Sequence, residues 1–383
     1  MPLLKSLAQN FIELRANRIQ DPVARLRFLQ KRIGTAKPPR RPRRKGPVVL
    51  LCLLLASLLI AHKPSTTEAR QTFAMLPRVT AAGADVFTDV WLVDQTKDFE
   101  VYSNGLRIDD HYTVSGDKRE TYQVYQRSAI DPAQPEWRTA PAGIVYHTTE
   151  TDQVQFEEEE TSKLKRIGKG VLSYVQQHHS YHFLIDRFGQ VFRVVKESDV
   201  ADHAGMSIWA DNRVIYVNLN SSFFGVAFET QTQSGQELPS ANPAQIHSAR
   251  VLTEMLRGKY HISESNCVTH AQVSVNPGNM LIGYHTDWAG NFPFLEVGLS
   301  DNYTAPPASI YAFGFDYDPT FVHHTGVRLW EGLALADDEM RTQAAARGLA
   351  VAKYRSILRK KYKEILETLK TASNSKEKSN ATS

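Results

Sequence analysis

The sequence predicts an α/β fold, a central mixed β-sheet flanked by helices, and three observations predict it. Between residue 143 and about residue 297, apolar runs of strand length such as "GIVYH" and "GVAF" alternate with stretches whose apolar residues recur at helical spacing. Gly, Pro and Asn stand at the joints, where turns and helix caps need them. The 383 residues are 42% apolar, enough to bury one good core, in two sub-domains rather than three.

Charge divides the chain. Residues 1–45 hold thirteen Lys or Arg against two acids, a net of +11; with +4 on the whole chain, the remainder is near −7. That sign argues against nucleic acid as a partner of the main domain. Fifteen uncharged residues, 47–61, follow the basic block. As a helix they span about 22 Å, short of the ~30 Å hydrocarbon core, so snorkelling flanks or local thinning must help. A cleaved secretory signal is the rival reading, but a basic region of 45 residues is long for one and the exit "LLIAHKPS" has no small-x-small site. The expectation is a retained single-pass signal-anchor over 46–62, with the basic tail 1–45 cytoplasmic by the positive-inside bias. Two cysteines, Cys52 and Cys267, provide no disulfide framework.

Each element then follows in order. Residues 63–85 read as a linker and 86–140 as a small β-rich lead-in, with "VWLV", "FEVYSNGLRI" turning at Ser-Asn-Gly, and "TYQVYQ" as strands. After the "GIVYH" strand, Leu164, Ile167, Val171 and Tyr174 fall at helical spacing behind the acidic run 157–160, which suits a helix N-terminus. "YHFLIDRFGQVFRVV" is a hairpin turning at Phe188 and Gly189. Asn242 and Pro243 make an N-cap and N1 pair for a helix whose buried face is Ile246, Ala249, Leu252 and Leu256, closed by Gly258. The extension 299–371 ends in one long helix from about Asp337 to Thr371, with Val351, Tyr354, Leu358, Tyr362, Ile365 and Leu369 packing on their own domain; 372–383 is polar and disordered.

Chemistry concentrates at strand ends. Glu229 closes the apolar "GVAF" run, and a buried carboxylate needs a cationic or hydrogen-bonding partner. His147, His270 and Asp287 stand at or just beyond other strands; two imidazoles and a carboxylate with an open fourth position form a catalytic zinc set. Spacing alone is weak support for it. His178, His179 and His182 lack the helical spacing that would align a second site, and Cys267 reads as core.

The motifs "GIVYHTTE", "SYHFLIDRFGQVFRVV", "ADHAGMSIWADN", "NSSFFGVAFET", "CVTHAQVS" and "TDWAGNFPF", in that order over about 143–295 and inside an expected catalytic domain at 141–298, resemble the zinc-dependent N-acetylmuramoyl-L-alanine amidases of the type 2 family, relatives of the peptidoglycan recognition proteins. The resemblance implies a zinc ion held by His147, His270 and Asp287, with Glu229 as the carboxylate that moves the proton. It implies that His203 and Tyr181 touch substrate. His285, two residues before Asp287, is either an oxyanion donor or a competing metal ligand, because "VNPGNMLIGY" looks like an insertion before the third ligand. The expected reaction is hydrolysis of the amide between N-acetylmuramic acid and L-alanine, on peptidoglycan or muropeptides, at a bacterial inner membrane with the catalytic domain periplasmic or extracellular. The alternative is an anchored peptidoglycan-binding module without turnover. The oligomeric state is left open.

Overall fold

The structure, a computed structural model, describes residues 85–232, 240–317 and 319–380. The basic tail, the expected anchor over 46–62 and, but for Asp85, the linker lie outside the described residues. Among the described residues no helix is long and apolar enough to cross a membrane. Residues from 80 onward form one compact unit.

Its strands are β1 (Leu92–Gln95), β2 (Phe99–Tyr102), β3 (Arg107–Asp109), β4 (Tyr122–Gln126), β5 (Glu136–Arg138), β6 (Gly143–Thr148), β7 (Phe183–Ile185), β8 (Val191–Arg193), β9 (Ile208–Ala210), β10 (Val214–Val217), β11 (Phe223–Phe228), β12 (Cys267–Thr269), β13 (Val275–Asn276) and β14 (Leu281–Ile282). Eight of them form the expected mixed sheet, in the order β1-β2-β3-β8-β7-β11-β6-β12. β11 runs parallel to both β6 and β7, and β12 parallel to β6. Every residue of β6 and β11 is buried, which is why both read as continuous apolar runs: strands covered on two faces have no polar side to show.

Helix α1 (Thr161–Gln177) covers one face, where its Leu172 and Val175 meet Leu184 and Ala227. Further along that face, β5-β4-β10-β9 form a second sheet, packing Val124, Trp209 and Tyr216 against Val145, Phe223 and Val268. The other face is covered by α2 (Pro243–Tyr260), whose Ala249, Leu252 and Leu256 share a core with Tyr146 and Phe228. Asn242 caps α2 in a capping box with Gln245, behind Pro243 at the first helical position, as the sequence led one to expect.

Several expectations need correction. The buried face of α1 is Leu164, Leu172 and Val175, while Tyr174 is exposed and stacks on His178. α2 runs past Gly258 and stops where His261 takes a left-handed conformation and donates its N–H to Arg257 O. The lead-in is not a separate layer: β3 pairs with β8 and β4 with β10, so it is continuous with both sheets. Arg193, buried on β8, secures it by ion pairs to Glu100 at 2.7 Å, Glu197 at 2.8 Å and Asp110.

The single C-terminal helix is in fact two, α4 (Pro319–Ala346) and α5 (Val351–Asn380), after a short α3 (Ala308–Phe313). Helical periodicity survives across the break, but Gly348 at φ 65° lets the N–H groups of Gly348 and Leu349 turn back onto Ala345 O and Ala344 O. Tyr354, Leu358, Tyr362 and Ile365 join the main core. α5 continues to Asn380, through the segment expected to be disordered.

Candidate metal centre

Strand register brings the site together. β12 lies beside β6 with Thr269 opposite Tyr146, so the next residue, His270, arrives next to His147. His270 opens a one-turn helix, His270–Val273, fixed by a capping box between Thr269 and Gln272. Asp287 comes from the following loop, where its backbone carbonyl accepts from Ala271 N at 3.2 Å. Three atoms able to ligate converge: His147 Nδ1 and His270 Nδ1 are 3.1 Å apart, and Asp287 Oδ2 is 3.1 Å from each. All three residues are buried.

The hydrogen-bond chain behind His147 decides what those atoms are. The Phe223 carbonyl can only accept, so His203 Nε2, 3.2 Å away, carries a hydrogen. His203 Nδ1 is then the acceptor for His147 Nε2–H at 3.2 Å, and His147 Nδ1 is left with a lone pair. Its approach to Asp287 Oδ2 is therefore acceptor against acceptor, an arrangement that a shared cation resolves. The triangle also has the right size: with ligand bonds of about 2.0 Å, the edge of a zinc tetrahedron is ~3.3 Å. His270 differs, since its Nε2 is buried without a protein partner.

Titration favours the ligand forms. Burial first, then the neighbouring His270, lowers His147 to about 4, so it is neutral at pH 7. Burial alone would raise Asp287, but the two imidazoles hold it well below the usual carboxylate range. Burial, with His147 next, puts His203 well below its ordinary value. A neutral His147 and an ionised Asp287 are forms that a divalent metal requires of its ligands.

Of the two candidates for third ligand, Asp287 is the one that converges. His285 instead lays its ring on His270, centroids 4.5 Å apart and 17° from parallel, at the exposed rim, while its backbone N–H donates to Ser274 Oγ. Burial and His270 lower its pKa. The suspected insertion is the β13–β14 hairpin, pinned by Ile282 N to Asp316 O and Asp316 N to Met280 O.

His203, expected to touch substrate, sits behind His147 with 9% exposure. It fits there because Gly225 on β11 has no Cβ; one would lie 2.6 Å from the His203 ring. Tyr181 places its ring 5.0 Å from that of His147, from a left-handed backbone at φ 64° that a tyrosine adopts only under constraint. Glu229 is 2% exposed; its Oε2 accepts from Arg187 N at 3.2 Å, and Gly168 of α1 abuts it. It lies on the same face as His147, because Ala227 pairs with His147 and Glu229 is two residues further along. No hydrogen bond joins it to the triad among the described residues. Burial raises its pKa to about 7.

His182 is spoken for, accepting from Gly225 N at Nδ1 and facing Asp199 O with Nε2. Cys267 is core, its thiol pushed up to about 12 by burial. Two supports escaped sequence reasoning. The Thr269–Gln272 box was legible as "THAQ", a Thr-x-x-Gln signature. Tyr303, whose hydroxyl donates to Trp288 O at 2.6 Å and accepts from Phe292 N at 2.8 Å, clamps the loop that carries Asp287, and nothing local announces it.

A buried His-His-Asp cluster, with His147 and His270 at the carboxyl ends of parallel strands and Asp287 on the loop beside them, is a donor set that could hold a metal ion and assist hydrolysis. Residues 137–287, a span that ends on Asp287, match the family model described as N-acetylmuramoyl-L-alanine amidase. That span, 151 of the 383 residues, is similar to the type 2 amidases and peptidoglycan recognition proteins, and the match supports an amidase. No curated protein matches the chain. Among solved structures it is similar to the amidase LysC from Clostridium intestinale URNW, at 25% identity over 41% of this chain and 83% of that one, TM-score 0.25. AmpDh3 from Pseudomonas aeruginosa, in complex with anhydromuramic pentapeptide, is 21% identical over 41% and 58%, TM-score 0.31. AmiD from E. coli, in complex with an anhydro-N-acetylmuramic acid peptide substrate, is 20% identical over 58% and 82%, TM-score 0.33.

Proposed function

We propose that the chain hydrolyses the amide between the lactyl carbonyl of N-acetylmuramic acid and L-alanine in peptidoglycan, with zinc held by His147 Nδ1, His270 Nδ1 and Asp287. The observation that carries this reading is the 3.1 Å triangle of His147, His270 and Asp287 inside the family-matching span, with acceptor facing acceptor along its His147–Asp287 edge. Zinc, when bound there, supplies a Lewis acid and lowers the pKa of water to about 7.

The protein's own groups divide the remaining work. His203 holds His147 in the tautomer that offers Nδ1. Glu229, whose carboxyl burial raises towards neutrality, takes a proton from the attacking water and returns it to the departing amine of L-alanine, a role worth about 10²- to 10⁴-fold. Strand spacing puts its Cα about 8 Å from that of His147, a distance that an extended glutamate side chain and one water can bridge. Neutral His285 at the rim donates an N–H to the developing oxyanion, and Tyr181 flanks the substrate.

The deciding measurement is metal content of the purified chain together with peptide release from muropeptides before and after chelation. One zinc per chain, with release lost on chelation and restored by zinc, is expected. Glu229→Gln should keep the zinc and lower turnover by about 10² or more. A chain that binds no transition metal would end the reading. The second reading, a binding module without turnover, draws on the Glu229 carboxylate being engaged by Arg187 N rather than by the triad; a zinc-loaded chain that binds muropeptide without cleaving it would favour it.

The membrane location belongs to the same proposal and rests on the sequence alone. Residues 46–62 anchor the chain as a single span in the bacterial inner membrane, leaving the amidase domain on the periplasmic or outer side. Recovery of the full chain in the soluble fraction, or protection of the domain from protease added outside, would remove that part.

A further inference from the structure

A second cavity, of about 850 Å³, opens between the loop after β4, the β9–β10 turn and helices α3, α4 and α5. That size is within the range of small-ligand sites, and none of its lining residues belongs to the metal centre. Four cations line it, Arg127, Arg213, Arg347 and Lys361, against two acids, Asp131 and Glu339. Arg127 is matched by Glu339 at 3.5 Å. Among the described residues Arg347, Lys361 and Asp131 form no ion pair, and Arg213 forms none within 4 Å, its nearest electrostatic match being Glu136 outside the cavity lining. Cations gathered around one cavity repel one another, and an anion would relieve them.

The cavity is also ordered in advance. The Arg127 guanidinium lies over the Tyr311 ring and that of Arg347 over Tyr354, each 5.0 Å from the centroid. Arg347 donates to Gln343 O at 2.9 Å, and the Tyr354 hydroxyl to Gln343 Oε1 at 2.7 Å. A guanidinium held in one plane matches a carboxylate in fork geometry without first losing rotamer freedom. Gln126 and Asn212 add amide groups to the lining.

We propose that this cavity binds a short acidic peptide, its carboxylates on Arg213, Arg347 and Lys361 and its free amine on Asp131. Both signs of charge and side-chain amides in one cavity complement a peptide, which carries both charges and amide bonds. Phosphate would meet the cations but also the unmatched carboxylate of Asp131. The inference concerns binding and stands apart from the amidase reaction.

Calorimetric titration of the full chain with the tripeptide Ala-Glu-Glu tests it. Its N-acetylated form, its uncharged Gln analogue and inorganic phosphate serve as comparison ligands. The free acidic tripeptide should bind and the uncharged analogue should not. Arg213→Gln or Lys361→Gln should each weaken the tripeptide about tenfold or more, the loss expected for a charged hydrogen bond. Asp131→Asn should weaken the free-amine peptide but not the acetylated one. Asp287→Ala, which disables the metal centre, should bind the peptide as the unaltered chain does. Absence of binding, equal binding by the Arg213 and Lys361 variants, phosphate competing as well as the peptide, or loss of binding in Asp287→Ala would each overturn the proposal.

Discussion

Glu229→Gln should change how stability depends on pH, and by an amount that reports on the metal centre. Burial holds the Glu229 carboxyl at about 7 in the folded chain, against an ordinary value of 4.5. A raised value means that the folded state binds the proton more tightly. The contribution is complete below about pH 4.5 and is lost as pH rises through 7. At about 1.36 kcal/mol per pH unit the loss is at most ~3 kcal/mol, and solvent reaching the carboxyl would reduce it. Glutamine stays neutral, so the metal-free variant should match the metal-free parent near pH 5 and exceed it by up to that amount at pH 8. Zinc alters the expectation. Asp287 is ionised with or without metal, so zinc adds its full +2 near Glu229 and favours the carboxylate. The loss should then begin at lower pH. Denaturant unfolding of both chains from pH 5 to 8.5, with chelator and with zinc, measures this, taking the difference between chains so that zinc's own stabilisation cancels. Parallel curves without metal would refute the burial argument; a difference that zinc does not move would separate Glu229 from the metal centre.

Asp287→Ala should release zinc and abolish turnover, whereas His285→Ala should keep zinc and lose about 10²- to 10³-fold in turnover; zinc lost from the histidine variant alone would reverse the ligand assignment. His203→Phe leaves His147 Nε2–H without its acceptor, so zinc affinity should fall about 10- to 100-fold by competition with a chelating dye, and His203→Gln should recover part of it. Tyr303→Phe removes the hydroxyl shared by Trp288 O and Phe292 N and should cost about 1–3 kcal/mol in unfolding free energy, with a weaker hold on zinc because the Asp287 loop loosens.

What the sequence reveals and what it conceals divide along the distance over which each signal acts. Strands β6 and β11 and the capped start of α2 were legible because they rest on local rules: burial on two faces, and an Asn-Pro cap. His147 and His270 could be named because strand ends are where a parallel sheet presents its chemistry, and the family motifs ordered them. The break at Gly348 was hidden because the apolar period runs through it, so periodicity alone could not tell one helix from two. The buried role of His203 was hidden for a different reason. It depends on the missing Cβ of Gly225, twenty-two residues away in the chain, and on the Phe223 carbonyl, neither of which is marked in "ADHAG". The same holds for the C-terminal extension. Its Tyr303 grips the loop of Asp287, and its Asp316 pins the β13–β14 hairpin between His270 and Asp287. A hairpin inserted between His270 and Asp287 would leave Asp287 free to wander; the extension ties down the hairpin's second strand and the loop just past Asp287. The amidase span and the residues after it therefore form one unit, and a chain cut after residue 298 should hold zinc poorly even though it retains all three ligands.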